Sequence, residues 1–265
     1  MSRTGQHDGY LNPEVVRLEA LPPAVVAYRR NLEAGERVPR HRHRRAQLAY
    51  AAAGVMTVGT DDGAFVAPPL RGVWIPGGVA HRIEARTAVA MRTVYVEPAA
   101  APGLPRAVCV LQVTPLLREL IVAAVAAAPD YPAGGPEERL MLVILDQLRA
   151  LPVAPLALPV PRDARLRRLT DGLMADPADP RGLEGWAAGV GASVRTLTRL
   201  FEAETGMSFR AWRAQLRLLR ALEMLAAGRP VTAVALEVGY ESPSAFIAMF
   251  RRCLGTTPTR YFEEG

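Results

Sequence analysis

The stretch 162–265 contains one pattern twice, and no other feature of this chain restricts its fold as strongly. The first copy runs from Leu183 to Gly206. Leu183, Trp186, Ala187 and Val190 fall at helical spacing, and Gly191 marks a turn. Ser193 stands where it can cap a second helix, with Leu197, Leu200 and Phe201 as the buried stripe. The second copy reads Val231, Val234, Ala235, Val238, then Gly239, Ser242, Phe246, Met249 and Phe250. The second-helix residues and the closing Gly206 and Gly255 are related by an offset of 49, the first helices by 48, because the second turn is one residue longer. Helix, glycine turn and capped helix describe a helix-turn-helix. Two in tandem point to a chain that reads DNA. A plain helical bundle is the alternative, and the paired glycine turns and serine caps in one hydrophobic register argue against it.

In the first capped helix Arg195, Thr196, Thr198 and Arg199 face outward or flank the interface. Arginine reads guanine through a bidentate pair in the major groove, and threonine can meet a thymine methyl. In the second, Pro243 takes the first turn, where a missing N–H costs little. The outward residues are Ser244, Ile247 and Ala248, a nearly uncharged face, and one turn later Arg251 and Arg252 reach toward the phosphate backbone. Between the motifs, 209–226 reads as one long amphipathic helix. Phe209, Trp212, Leu216, Leu219 and Leu222 form its buried side, and Arg210, Arg213, Arg217 and Arg220 a basic stripe. The stripe has two readings: a polyanion-facing surface, or a face paired with Glu202, Glu223 or other partners. As a rigid spacer this helix would set the two recognition helices about one DNA turn apart, roughly 34 Å.

The stretch Arg165–Phe262 resembles the DNA-binding domain of the AraC/XylS family of bacterial transcription regulators. The resemblance rests on Ser193-Val-Arg-Thr-Leu-Thr-Arg-Leu-Phe201, Gly206, Val234-Ala-Leu-Glu-Val-Gly-Tyr-Glu-Ser-Pro-Ser-Ala-Phe246, Phe250-Arg-Arg-Cys-Leu-Gly-Thr-Thr-Pro258 and Tyr261. It implies that Arg195, Thr198 and Arg199 face bases, as do Ser244, Ile247 and Ala248. The apolar character of the last two departs from a hydrogen-bonding readout.

Composition adds bounds. All 32 basic residues are arginine, which reads as the codon bias of a GC-rich genome rather than as a DNA footprint. The net charge of +6 and pI near 9.9 still favour polyanionic partners. Over 162–265 there are 15 Arg against 12 Asp and Glu, so placement carries the argument, not charge. Two distant cysteines, Cys109 and Cys253, give no disulfide framework, and Cys253 follows an apolar stripe as a small buried hydrophobe. No secretory core and no run of about 20 apolar residues occurs, so the expected place is the cytoplasm, with no membrane partner.

Ahead of the repeat, 24–96 alternates short apolar runs with Gly and Pro, as an antiparallel sandwich or small barrel does. Residues 1–23 read as a loosely ordered arm. Over 114–151 two apolar helices form an αα-hairpin, packed on the β domain or on a second subunit. Residues 152–161 are a proline-rich linker, and the helical domain occupies 162–265. Within 24–151, Gly35, His41, His43, Gln47 and Gly54, followed by Pro76-Gly-Gly78 and His81, resemble the two cupin motifs. Two departures stand out: Gln47 replaces the cupin glutamate, and Leu70 and Ala85 stand where a glycine and an asparagine belong. His41 and His43 at i, i+2 project to one face of a strand, and a later strand can bring His81 to them. With the Gln47 amide oxygen, three imidazoles suit a divalent transition metal. The alternative is a vestigial pocket in which the histidines hydrogen-bond among Arg40, Arg42, Arg44 and Arg45. Tyr50, Met56 and Trp74 are candidates for an apolar effector pocket.

The reading is therefore an α+β chain of two domains: a cupin-like β-barrel with an αα-hairpin, then an all-α domain with two helix-turn-helix motifs joined by a long helix. The function expected is sequence-specific transcription regulation, controlled by a small effector or metal in the first domain. The partners are operator DNA near its own or a neighbouring gene, with RNA polymerase and a second copy of the chain as further candidates. The competing class is a metal-dependent cupin enzyme carrying an accessory DNA module. It lacks the carboxylate that would serve as acid or base.

Overall fold

The computed structural model describes residues 12–154 and 156–263. They fall into two compact units. The first takes the described residues up to Asp61 together with Phe65–Leu156, and the second takes Asp62–Ala64 and the described residues from Ala157 on.

The first unit opens with α1 (Pro13–Glu19), followed by β1 (Val25–Leu32), β2 (Arg37–His41), β3 (Ala46–Ala53), β4 (Met56–Gly59), β5 (Gly63–Ala67, of which Gly63 and Ala64 fall in the second unit), β6 (Arg71–Ile75), β7 (His81–Ala85), β8 (Val89–Val96) and β9 (Cys109–Gln112). The hairpin helices α2 (Pro115–Ala124) and α3 (Pro136–Ala150) and the short β10 (Val153–Ala154) complete it. One sheet runs β1-β8-β3-β6-β9-β10, and the other contains β5-β4-β7-β2 in that order. Along β3 the side chains alternate between two buried faces. Leu48 and Tyr50 pack with α2 and α3, while Gln47 faces the other way, toward Thr93 and Tyr95 of β8. A sheet covered on both faces needs apolar residues at nearly every position, which is why β3 and β6 carry no apolar-polar alternation.

Thr114 caps α2 by accepting from Leu117 N, and Leu117, Ile121 and Ala124 form its buried stripe. From α3, Met141, Ile144, Leu145 and Leu148 close the same core over Trp74 and Val94. Opposite this packed face, Leu116, Val122, Leu142 and Val143 are 56%, 42%, 46% and 43% exposed.

Part of the stretch read as a loose arm makes specific contacts over 12–23. Residues 1–11 lie outside the described residues, but Asn12 caps α1 and Pro13 starts it. Val15 and Leu18 are buried against Val26 and Tyr95. The Glu19 carboxylate accepts the backbone N–H groups of Arg44 and Arg45 at 2.8 and 3.0 Å. Arg45, 1% exposed, donates in turn to the carbonyls of Pro23 and Leu21. Over 12–23, two apolar anchors and these hydrogen bonds offset the ordering entropy that composition alone suggests such a stretch keeps. The stretch 152–161 is likewise not a bare linker, since Val153 and Ala154 pair with Leu111 and Val110 of β9.

The second unit begins with β11 (Ala157–Pro159) and continues through α4 (Ala164–Ala175), α5 (Leu183–Val190), α6 (Val194–Thr205), α7 (Phe209–Ala226), α8 (Val231–Glu237), α9 (Pro243–Leu254) and α10 (Pro258–Glu263). Its core joins Leu166, Leu169, Trp186, Leu197, Phe201, Trp212, Leu219, Val234, Phe246 and Phe250, all under 9% exposed. Trp212 meets Phe201 edge-on at 5.8 Å and donates its Nε1–H to the Pro159 carbonyl at 2.8 Å. Trp186 packs so closely on α4 that a Cβ at Gly172 would lie 2.4 Å from its Cη2.

Candidate nucleic-acid interface and histidine cluster

The repeat is built twice with the same local chemistry. Gly191 ends α5 in the left-handed region at φ 69°, and Ser193 Oγ caps α6 by accepting from Thr196 N. In the second copy Gly239 turns at φ 84° and Ser242 Oγ caps α9 by accepting from Ala245 N. Gly206 and Gly255 end the two recognition helices at φ 68° and 79°. Leu197 and Phe201 are buried on α6, as Phe246 and Phe250 are on α9, so the remaining faces are fixed outward.

On α6, Arg195, Thr198 and Arg199 are exposed and Thr196 is half-buried. Thr196 Oγ1 lies 2.9 Å from Ser193 Oγ, and Thr198 donates to the Val194 carbonyl at 3.0 Å. Both hydroxyls are therefore engaged in the helix's own first turns. Neither Arg195 nor Arg199 has a hydrogen-bond or ion-pair partner among the described residues. On α9, Ser244 and Ala248 are exposed and Ile247 is half-buried, with Arg251 and Arg252 exposed at its end. Leu200 and Phe209, read from sequence as buried, are only half-buried, as is Cys253, whose Sγ lies 3.8 Å from Met249 Sδ.

The arginine stripe of α7 has a different use. Arg213 donates to the Arg181 carbonyl at 2.9 Å, Arg217 to Pro177 at 2.9 Å and Arg220 to Met174 at 3.2 Å. Arg220 also pairs with Glu223 at 2.9 Å. Three of the four guanidinium groups thus strap α7 to the last turn of α4 and to the connection that follows it, leaving Arg210 exposed and without a partner among the described residues. Helical spacing alone does not distinguish a strap from a phosphate-facing stripe.

In the first unit the histidines converge. His41 and His81 are cross-strand partners on β2 and β7, beyond an irregularity between Val38 and His41. His43 lies past the end of β2, in the turn before β3, not two places along the same strand as its spacing suggests. The turn brings it back, so that the ring centroids stand 4.3 Å apart for His41–His81, 5.0 Å for His43–His81 and 5.7 Å for His41–His43. One ring nitrogen of each lies within 4.8 Å of the others, and all three residues are buried.

The hydrogen bonds fix the tautomers. Each Nδ1 faces a backbone carbonyl: His41 to Pro39 at 2.8 Å, His43 to Arg45 at 2.6 Å and His81 to Val79 at 2.9 Å. A carbonyl only accepts, so each Nδ1 carries the proton and each Nε2 of a neutral ring keeps a lone pair. His81 Nε2 is buried without a hydrogen-bond partner among the described residues. His43 Nε2 lies 3.0 Å from Gln47 Oε1. The orientation of that amide follows from its other end, where Gln47 Nε2 donates to Thr93 Oγ1 at 2.8 Å and the Thr93 hydroxyl donates on to the Leu48 carbonyl. Two acceptors therefore face each other, an arrangement that a cation between them would satisfy. Burial, and then the neighbouring His41, pushes His81 down to about 3, and burial lowers His41, so both rings favour the neutral form that ligates. Carbonyl-oriented Nδ1–H groups are the usual outer support of histidine ligands. This set could hold a divalent metal.

Three of the neighbouring arginines have ion-pair partners away from these rings. Arg40 pairs with Asp61, Arg44 with Glu97, and Arg45 with Glu97 and the arm. The cavity beside His41, Gln47 and Tyr95 measures about 20 Å³, with Asn12 and Val15 of α1 in its wall. That is room for one water or ion, not for an organic molecule. Tyr50, Met56 and Trp74 do not form the common pocket expected of them. Tyr50 and Trp74, each 1% exposed, belong to the core under α2 and α3, and Met56 sits on β4 of the other sheet. The pattern of apolar residues gave no sign of which sheet face each occupies.

A family model for an AraC-like ligand binding domain matches residues 23–151, and one for a helix-turn-helix domain matches 186–264. The chain is 38% identical over 223 residues to the HTH-type transcriptional regulator NimR of Escherichia coli K12, covering 84% of this chain and 81% of that protein. It is 40% identical over 103 residues to the HTH-type transcriptional regulator RipA of Corynebacterium glutamicum, covering 39% of this chain and 31% of that one. Among solved structures, ToxT of Vibrio cholerae aligns with 9% identity over 89% of this chain and 94% of that chain, at a TM-score of 0.38. No helix among the described residues is long and apolar enough to cross a membrane. With an AraC-like ligand-binding domain ahead of a doubled helix-turn-helix, this chain belongs to the AraC family of transcription regulators, which are DNA-binding proteins and not enzymes.

Proposed function

We propose that this regulator reads its operator through Arg195, Thr198 and Arg199 on α6 and through Ser244, Ile247 and Ala248 on α9, and that its first unit responds to a divalent transition metal. The operator lies near its own or a neighbouring gene, and the protein works in the cytoplasm, where that DNA is. The observation that carries the DNA reading is the pair of guanidinium groups, Arg195 and Arg199, without a partner among the described residues, on a helix whose buried side is complete without them. Thr196 supports the α6 cap through its bond to Ser193, and Arg251 and Arg252 suit backbone phosphates.

For the metal, His41, His43 and His81 would serve through Nε2, with Gln47 Oε1 beside them. When bound, the ion supplies a cross-link between β2, β7 and the turn before β3. The orphaned Nε2 of His81 and the facing lone pairs of His43 and Gln47 support this reading. A second copy of the chain is a further partner, because Leu116, Val122, Leu142 and Val143 leave an apolar face on α2 and α3.

The test uses full-length protein and DNA from upstream of its own gene. Specific retardation that Arg199→Ala weakens supports the DNA reading, and retardation unchanged by it refutes that assignment. Zinc, nickel, iron and manganese are each titrated into metal-free protein. Saturable binding that raises the melting temperature and disappears in His81→Ala is expected. Acid works in the same direction. His81 is depressed when folded, so the native state resists protonation below the unfolded value near 6.5. Stability and affinity both fall as pH drops from there toward about 3. Metal-free protein that binds none of the four ions would overturn the metal reading.

A further inference from the structure

The first unit holds a second and much larger cavity, about 400 Å³, on the helix-facing side of the six-stranded sheet. Gln47 faces the histidines, but the cavity takes its neighbour Ala46 and, from β6, Trp74. The contrast in volume matters. The 20 Å³ beside the histidines admits an ion, whereas this space falls in the range of small-molecule sites.

Its walls are apolar and held in place. Trp74 and Leu104 line it, together with Pro98, Pro102 and Pro105. Trp74 Nε1 donates to the Pro105 carbonyl at 2.9 Å, and Arg149 of α3 donates to the carbonyls of Pro102 and Ala100 at 3.3 and 3.2 Å. A wall already ordered by prolines and by three hydrogen bonds loses little entropy when a ligand enters. Among the described residues, the charged groups at the cavity are Arg44 and Arg106, and no acidic side chain lines it. Arg44 is neutralised by Glu97. Arg106 is exposed and has no partner among the described residues.

We propose that this cavity binds a small organic monocarboxylate, its aromatic or branched aliphatic body against Trp74 and Leu104 and its carboxylate on Arg106. A planar guanidinium matches a carboxylate bidentately, and the surplus positive charge at the mouth disfavours a cationic ligand. The site is separate from the histidine cluster and stands whether or not that cluster takes a metal.

Calorimetric titration of the full-length protein tests it with benzoate, phenylacetate and isovalerate, and with benzamide as the neutral counterpart. Saturable binding of at least one carboxylate at one site is expected, with benzamide at least about tenfold weaker than benzoate if benzoate is the one bound. Arg106→Gln should weaken the bound carboxylate by about ten- to a hundredfold, since its side chain holds nothing else in place. Ala101→Phe should fill the cavity and abolish binding, while His81→Ala should leave it unchanged. If Ala101→Phe does not fold, Arg106→Gln decides alone. No saturable heat with any of the three carboxylates overturns the proposal, and so does affinity unchanged by Arg106→Gln. Loss of binding in His81→Ala with retention in Ala101→Phe would put the ligand at the histidines and overturn it equally.

Discussion

The helices α6 and α9 share a scaffold and differ in what they present. Each begins at a serine whose Oγ accepts the third N–H, and each ends at a glycine in the left-handed region. Each buries residues four and eight places after the cap: Leu197 and Phe201 in one, Phe246 and Phe250 in the other. The outward positions have diverged. Where α6 exposes Arg195, Thr198 and Arg199, α9 exposes Ser244 and Ala248 and half-buries Ile247. Packing constrains the inner positions, because a lost ring leaves a cavity that the neighbours cannot close. The outer positions are held less tightly, and Arg195 and Arg199, without a partner among the described residues, are free to be set by what lies outside the unit.

The largest effect should fall on the shared scaffold. Phe201→Ala and Phe250→Ala should each cost about 3–5 kcal/mol of stability in the second unit, by chemical or thermal unfolding of the full chain. A difference of more than about 2 kcal/mol between them would break the equivalence of the copies. Next comes the readout. Arg199→Ala should cost about 1–3 kcal/mol of operator affinity at fixed salt, while Ser244→Ala should cost well under that. Base-by-base changes in the operator should then bite harder under α6 than under α9, and equal losses under both would remove the asymmetry. The caps are smaller again. Ser193→Ala and Ser242→Ala should each lower stability by about 1 kcal/mol, with little change in which bases are preferred. The smallest effect at any one salt concentration belongs to Arg251→Gln and Arg252→Gln. Each should reduce the slope of log affinity against log salt by roughly 1 and weaken all sequences alike. A change of sequence preference in either would mean that the end of α9 touches bases.

The α7 stripe shows where a pattern stops being informative. Arg210, Arg213, Arg217 and Arg220 are equivalent in spacing, yet only Arg210 lacks a partner among the described residues. The other three reach the carbonyls of Arg181, Pro177 and Met174. A carbonyl acceptor leaves no trace in side-chain identity, so no reading of residue types reveals that these cations are occupied.

What the amino-acid sequence by itself determines is the local half of this protein. Helical periodicity, Gly191 and Gly239 at the turns, and Ser193 and Ser242 as caps specify two helix-turn-helix motifs, because all of those interactions act within a few residues along the chain. The same locality makes Arg195 and Arg199 legible as outward residues, since the buried stripe of α6 fixes the rest of its surface. The tertiary structure decides whatever depends on residues meeting across sheets. It turns His43 back from beyond β2 onto the His41–His81 pair, and it sets Gln47 Oε1 opposite a nitrogen lone pair. It also assigns Tyr50 and Trp74 to the helix-facing side of a sheet buried on both faces, where alternation carries no signal. Finally, it docks Val15 and Leu18 of an otherwise polar arm on Tyr95 and Val26. Each of these follows from strand register and loop closure, which are settled by packing between segments distant in sequence and not by the propensity of any one of them.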